Sequence, residues 1–171
     1  MVTFKSISWI LFSLLSVVAC RENAATTNRN APATTPPETT AAPGSTTNMT
    51  IPTVLPAYLA GVVAQSGTKP LLFHVGFKKL YEQAHIPGSE YFGPGSENDA
   101  LARLEQRVAS LPKMEPMILY CGCCPWERCP NVKPAYKALH DLGFTDVRVL
   151  FITKDFGTDW ADKNYPVASG E

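Results

Sequence analysis

The sequence carries no excess of either charge and no cluster of basic residues. Its 171 residues include 15 Lys and Arg and 15 Asp and Glu, so the formal net charge at pH 7 is zero. Nucleic-acid-binding proteins usually present a basic patch or stripe, so this balance indicates no nucleic-acid partner. The chain also lacks a glycine-rich phosphate-binding motif and an internal repeat. No bound organic cofactor is therefore predicted.

A long apolar run is missing as well. The run from Ile7 to Ala19 is shorter than the roughly 20 apolar residues of a transmembrane helix, and it follows a single lysine, as in a secretory signal. Its end, Val17-Val18-Ala19-Cys20, resembles a bacterial lipobox, in which the cysteine is lipidated and becomes the first mature residue. We therefore expect an extracytoplasmic protein, anchored to a bacterial membrane through Cys20 and facing the periplasm or the cell exterior.

Composition divides the chain into three parts. Residues 1–20 form the signal-like segment. Residues 21–53 are crowded with Thr, Ala, Pro and Asn, a composition that cannot bury a core, so a disordered linker is predicted there. Aromatic and branched apolar residues dominate from Val54 onward, and one folded domain is expected over residues 54–171.

Apolar periodicity in this last part predicts alternating strands and helices. Short apolar runs at 71–75, 91–92, 117–120 and 147–152 are typical of buried strands, and helical spacing recurs near 55–63, 78–84, 101–111 and 132–139. Ser96 and Asp99 are predicted to form a capping box at the start of the third helix. The alternation favours an α/β fold with a mainly parallel central sheet flanked by helices.

Four of the five cysteines lie in one loop, directly after the predicted strand 117–120. The loop reads CGCCPWERCPN over residues 121–131, and a helical pattern resumes near Asn131. Backbone N–H groups and the positive end of a helix both favour negative charge, so a thiol brought to such a loop becomes a reactive thiolate. Cys121, at the end of the strand, is the candidate nucleophile.

Several segments in this order resemble the rhodanese family of single-domain sulfurtransferases. They are LLFHV at 71–75, YEQAHIPGS at 81–89, ILYC at 118–121, LGFTDV at 142–147, and finally Trp160 with YPV at 165–167. The resemblance covers roughly residues 54–167 and implies a three-layer rhodanese-like fold. It also implies a sulfurtransferase that carries sulfane sulfur as a persulfide on Cys121.

The same resemblance implies the partners of this cysteine. The donor would be a small anion such as thiosulfate, and the acceptor a thiol or cyanide. The loop's own additional cysteines, rather than the resemblance, suggest that Cys124 or Cys129 acts as a resolving or redox thiol. The residues expected to bind the substrate all lie in the loop and are Gly122, Cys123, Cys124, Trp126 and Arg128.

Three features depart from the family pattern. His74-Val75-Gly76 stands where the family usually has Asp-x-Arg, and Ala84 replaces a glycine. The cysteine loop is several residues longer and adds three cysteines. His74 ends a strand near this loop, and we expect it to be a buried, hydrogen-bonded histidine.

The loop also fits two other functions. Thiolates are soft ligands, so it could bind copper or zinc, although no particular metal ligands are predicted. Cys121-x-x-Cys124 could instead serve a thiol-disulfide oxidoreductase. In an oxidising compartment, a disulfide could join Cys121 to Cys124 or Cys124 to Cys129.

Overall fold

Five parallel strands in the order β1-β5-β4-β2-β3 form the centre of the fold. The computed structural model describes residues 50–170, so the signal-like segment, Cys20 and nearly all of the predicted linker lie outside the described part. The strands are β1 (Thr53–Val54), β2 (Leu71–His74), β3 (Glu90–Tyr91), β4 (Met117–Tyr120) and β5 (Val147–Leu150).

Helices cover both faces of this sheet. They are α1 (Pro56–Ala64), α2 (Lys78–Gln83), α3 (Asn98–Val108), α4 (Val132–Asp141) and α5 (Phe156–Asp159). Side chains alternate between the faces along each strand. Ile118 packs in one cluster with residues of α1 and α5, while its neighbour Leu119 packs in another with residues of α3 and α4. The result is a three-layer sandwich with two apolar cores.

The predicted α/β alternation is confirmed, and the main differences lie at element ends. β1 was not predicted, because a two-residue strand shows no periodicity and is defined only by its pairing with β5. The predicted capping box is wrong. The residue before α3 is Glu97, which makes no side-chain cap, and the Ser96 hydroxyl donates instead to Oδ1 of Asn131.

Within residues 50–170, none of the helices has the length and apolar character needed to cross a lipid bilayer.

Candidate active site at the carboxyl end of the sheet

The cysteine loop begins at the point where the chain changes direction across the sheet. From β2 the chain moves to β3 at one edge, whereas from β4 it moves to β5 on the other side. In open α/β sheets, ligands bind in the crevice outside the carboxyl ends of strands at such a switch point. His74 and Tyr120 are paired as the last residues of β2 and β4. Cys121 therefore lies at this crevice.

Cys121 is shielded from bulk solvent but borders a pocket. The residue is only 2% exposed, and it lines a surface pocket of about 350 Å³ together with His74 and Gly122. A small molecule could therefore approach the sulfur. Sequence reasoning missed most of the other residues of this pocket, which come from α2 and from the segment around α5 and include Leu80, Gln83, Ala84, Asp155, Phe156 and Ala161.

Two glycines allow the backbone to pack closely around the thiol. A Cβ on Gly76 would lie 2.6 Å from the Sγ atom of Cys121 and 3.0 Å from its carbonyl oxygen. Gly122 has a φ of +78°, and a Cβ there would lie 2.6 Å from Cβ of Phe156. The His74-Val75-Gly76 sequence thus has a steric role, because the sulfur occupies the space of a side chain at position 76.

Asn131 connects the loop to the rest of the site. The residue is fully buried, and its Nδ2 donates to the Sγ atom of Cys121 at 3.4 Å. Its Oδ1 accepts hydrogen bonds from the backbone N–H and the hydroxyl of Ser96, at 3.3 and 2.9 Å. These bonds fix the orientation of the amide. The only trace of this role in the sequence is a polar residue at the start of a helix.

The loop folds back so that its thiols form a cluster. The Sγ atom of Cys123 lies 3.4 Å from that of Cys121, 3.1 Å from that of Cys124 and 4.0 Å from that of Cys129. A 3₁₀ turn at Trp126–Arg128 reverses the chain and brings Cys129 back toward the strand end. All four thiols are free, so neither of the disulfides considered from the sequence is present.

The first turn of α4 acts on Cys129 rather than on Cys121. A hydrogen bond with the Cys121 thiol, together with backbone N–H groups of Asn131 and Val132, holds the pKa of Cys129 well below its usual range. The same bond with Cys129, together with burial, raises the pKa of Cys121. Of these two thiols, Cys129 is therefore the one on which negative charge is favoured. The sequence had suggested that the helix end would stabilise a Cys121 thiolate.

His74 is a neutral, buried neighbour of the thiol. Burial lowers its pKa to about 4, although a hydrogen bond with the backbone of Cys121 acts in the opposite direction. Its Nδ1 accepts the N–H of Gly76 at 3.3 Å, and its ring packs edge-on against Tyr120. The expectation of a buried, hydrogen-bonded histidine is confirmed. At neutral pH it supplies no positive charge to a Cys121 thiolate.

The remaining predicted residues lie around the cluster. Arg128 is exposed and is not among the residues that line the pocket. Trp126 is half-buried and packs against the apolar core on the α3 and α4 side. Its indole Nε1 is buried and makes no hydrogen bond within the described part of the chain. Cys124 is half-buried, with its sulfur against Cys123.

No protein-family model and no curated protein sequence matches this chain, but solved structures do. The rhodanese-like domain of the Alr3790 protein from Anabaena sp. is 17% identical, with a TM-score of 0.50, over 70% of this chain and 80% of that chain. The chain has a rhodanese-like fold.

Two further structures have the same architecture. The single-domain sulfurtransferase RDL2 of Saccharomyces cerevisiae is 16% identical, with a TM-score of 0.50, over 68% of this chain and 94% of that chain. The BH2092 protein of Bacillus halodurans is 21% identical, with a TM-score of 0.53, over 69% of this chain and 77% of that chain. The fold prediction is confirmed, and at these identities the likeness concerns the fold alone.

Proposed function

We propose that this protein is a sulfurtransferase that carries sulfane sulfur as a persulfide on Cys121. One observation carries the proposal: the Cys121 sulfur lies at the carboxyl end of the central strand β4 and lines a pocket large enough for a small donor. Ligands of open α/β sheets bind at this position. The rhodanese-like fold is compatible with the same chemistry.

In the proposed reaction, Cys129 is the base that accepts the proton of the Cys121 thiol. The Cys121 thiol passes its proton to the Cys129 thiolate, and the Cys121 sulfur then attacks the outer sulfur of a donor R–S–SH. The donor S–S bond breaks, and a new S–S bond forms on Cys121. The leaving RS⁻ takes the proton from Cys129 and departs as RSH. The products are a Cys121 persulfide and a restored Cys129 thiolate.

The persulfide then passes its outer sulfur to an acceptor at the pocket. With cyanide, the acceptor carbon attacks that sulfur, thiocyanate leaves and the Cys121 thiolate is regenerated. A neighbouring thiolate could instead attack the inner sulfur, which would release HS⁻ and leave a disulfide for an external thiol to reduce. Cys124 and Cys129 were predicted for this resolving role, and Cys123 has the sulfur nearest to Cys121, at 3.4 Å.

The charges around the pocket favour an organic persulfide over thiosulfate as donor. The described residues that line the pocket include the acidic Asp155 but no Lys or Arg. A thiosulfate dianion would meet this carboxylate without a compensating cation. A thiol persulfide carries less charge and places its reactive sulfur at the end of the molecule. Arg128 would assist an anionic donor only after moving toward the pocket.

We also propose that the enzyme works outside the cytoplasm, attached to a bacterial membrane by a lipid on Cys20. The support is the sequence alone: the short apolar run, its lipobox-like end and the Thr- and Pro-rich segment that follows. A lipid anchor predicts that the protein fractionates with membranes and that Cys20→Ser releases it. Recovery of the unchanged protein in the soluble fraction would contradict the anchor.

Mass spectrometry tests the sulfur-transfer proposal directly. The reduced protein is incubated with a small thiol persulfide and, in parallel, with thiosulfate, and its peptides are then analysed for one added sulfur atom. The adduct is expected on Cys121, more abundantly with the persulfide. Cys121→Ser should lower transfer to cyanide by at least about 1,000-fold.

Two outcomes would reject this assignment. Sulfur could be found on another cysteine, or Cys121→Ser could retain transfer. Cys124→Ser is the matched control, because it removes a loop thiol that is not among the residues lining the pocket.

A further inference from the structure

Three of the loop thiols are arranged as a potential ligand set. The Sγ atoms of Cys121, Cys123 and Cys129 all lie within 4.8 Å of one another. A trigonal ion with metal–sulfur bonds of about 2.3 Å would hold its three sulfurs about 4 Å apart. The Cys121–Cys123 and Cys123–Cys129 separations, 3.4 and 4.0 Å, are close to this value. Small side-chain movements would therefore be enough to place an ion between them.

The fold supplies these thiols from three separate backbone positions. Cys121 follows β4, Cys123 lies in the loop, and Cys129 precedes α4 after the 3₁₀ turn. Four thiols within nine residues leave little chain between the ligands of a metal cage. The turn removes this difficulty, because it brings Cys129 back beside the strand end. Two of the three ligands are almost completely buried, at 2% and 3% exposed, so a bound ion would be protected from water.

The donor atoms decide the class of ion. The set contains three sulfurs and neither imidazole nor carboxylate. Thiolates favour soft ions such as Cu(I), whereas structural zinc sites almost always use four ligands. Cys124, the fourth thiol of the loop, does not belong to the set in which all sulfurs are mutually close. The amide of Asn131 donates to the Cys121 sulfur, the kind of outer contact that orients a ligand.

We propose that Cys121, Cys123 and Cys129 form a three-thiolate binding site for Cu(I). Copper remains in the +1 state, and those ligands that are still protonated release their protons to solvent. Cys121 would be both a Cu(I) ligand and the sulfur carrier. A bound ion therefore blocks persulfide formation, and a persulfide on Cys121 removes one ligand. This mutual exclusion rests on the proposed sulfurtransferase function, whereas the binding of Cu(I) does not.

The test uses the full-length reduced protein under argon, titrated with Cu(I) in competition with a colorimetric Cu(I) chelator. One Cu(I) per chain is expected to resist the chelator. X-ray absorption at the copper edge should show three sulfur neighbours and no nitrogen or oxygen neighbour. Cys123→Ser should weaken binding by more than the roughly 10- to 100-fold typical of losing an outer contact. Cys124→Ser, at the next position in the sequence, should leave the affinity for Cu(I) nearly unchanged.

Several results would overturn the site. The protein could fail to retain Cu(I) against the chelator, the absorption spectrum could show nitrogen or oxygen ligands, or Cys124→Ser could weaken binding as much as Cys123→Ser. The spectrum of the unmodified protein does not depend on any variant remaining folded. Thermal melting monitored by circular dichroism checks the folding of both variants.

Sulfur loading of metal-free protein separates the two proposals. A chain that forms the Cys121 persulfide but holds no Cu(I) rejects the metal site alone. A chain that holds Cu(I) but never acquires sulfur rejects the sulfurtransferase alone. If both are observed, Cu(I)-loaded protein should acquire sulfur much more slowly than metal-free protein. Equal rates would show that the two uses of Cys121 do not compete.

Discussion

Cys121 and Cys129 are almost equally buried, yet their surroundings give them opposite protonation states. Cys129 precedes α4, and its sulfur accepts hydrogen bonds from the Cys121 thiol and from the backbone N–H groups of Asn131 and Val132. Cys121 follows a strand and accepts the side-chain amide of Asn131 and the backbone N–H of Cys123. The hydrogen bond between the two thiols is the first cause of both pKa shifts, and the N–H groups at the start of α4 add to it by favouring the anion on Cys129.

Removal of Cys129 should have the largest effect on the charge of the two thiols. An ordinary thiol has a pKa of roughly 8.5 and is mostly protonated at neutral pH. The Cys129 thiol, with its lowered pKa, should be a thiolate there. Absorbance near 240 nm, recorded as the pH is lowered from 8, should follow this thiolate into the acidic range. Cys129→Ser should abolish the acid-range signal, and Cys124→Ser should retain it.

The same variant also affects Cys121. Without the Cys129 anion, the first cause of its raised pKa is gone, so its pKa should fall and persulfide formation should begin at lower pH. If Cys121→Ser, rather than Cys129→Ser, removes the acid-range absorbance, then the charge lies on the strand end and the comparison is reversed.

A side chain at position 76 should displace the Cys121 sulfur. In Gly76→Ala, the new Cβ would stand 2.6 Å from that sulfur and 3.0 Å from the Cys121 carbonyl oxygen. Overpacking of this kind costs about 1–3 kcal/mol of stability, and we expect sulfur transfer to fall by roughly 100-fold, because reacting groups tolerate displacements of less than about 1 Å. Denaturant unfolding and cyanide-dependent turnover measure the two effects.

The matched control for Gly76→Ala is Gly61→Ala in α1. Nothing lies within 4 Å of a Cβ at that position, and alanine in a helix interior stabilises by about 0.5–1 kcal/mol relative to glycine. Stability should therefore rise slightly, with turnover unchanged. Equal behaviour of the two variants would show that the close approach at Gly76 has no effect on the site.

The smallest expected effect concerns His74, which packs beside Cys121 and is neutral because of burial. Its pKa is lowered from 6.5 to about 4. As the pH falls below 6.5, the unfolded chain takes up a proton that the folded protein refuses, so the free energy of unfolding decreases. Between pH 7 and pH 5 this decrease should be about 2 kcal/mol, measurable by urea unfolding.

His74→Gln tests this pH dependence, because it removes the titrating group and should reduce the slope of stability against pH. An unchanged slope in His74→Gln would mean that His74 takes up a proton as readily in the folded protein as in the unfolded chain. In that case Cys121 would have a cation beside it at acid pH, and its contrast with Cys129 would be smaller there.

Much of the fold could be predicted from the sequence because it depends on local patterns. The apolar run at 117–120 and the helical spacing after residue 131 identify β4 and α4. The two-residue strand β1 is different, since its assignment depends on pairing with β5, and the bounds of β3, predicted at 91–92, moved by one residue. The capping role expected of Ser96 failed for a similar reason. Its hydroxyl found Asn131, 35 positions away in the sequence, as a partner.

The candidate site divides in the same way. Residue type and spacing are enough to predict the α/β class, the thiol at the end of a buried strand and the concentration of cysteines after it. The packed domain is needed to show which thiol receives the helix amides, why position 76 is glycine, and which three sulfurs converge. These features depend on distances between segments that are far apart in the chain, and such distances are set by packing of the whole domain.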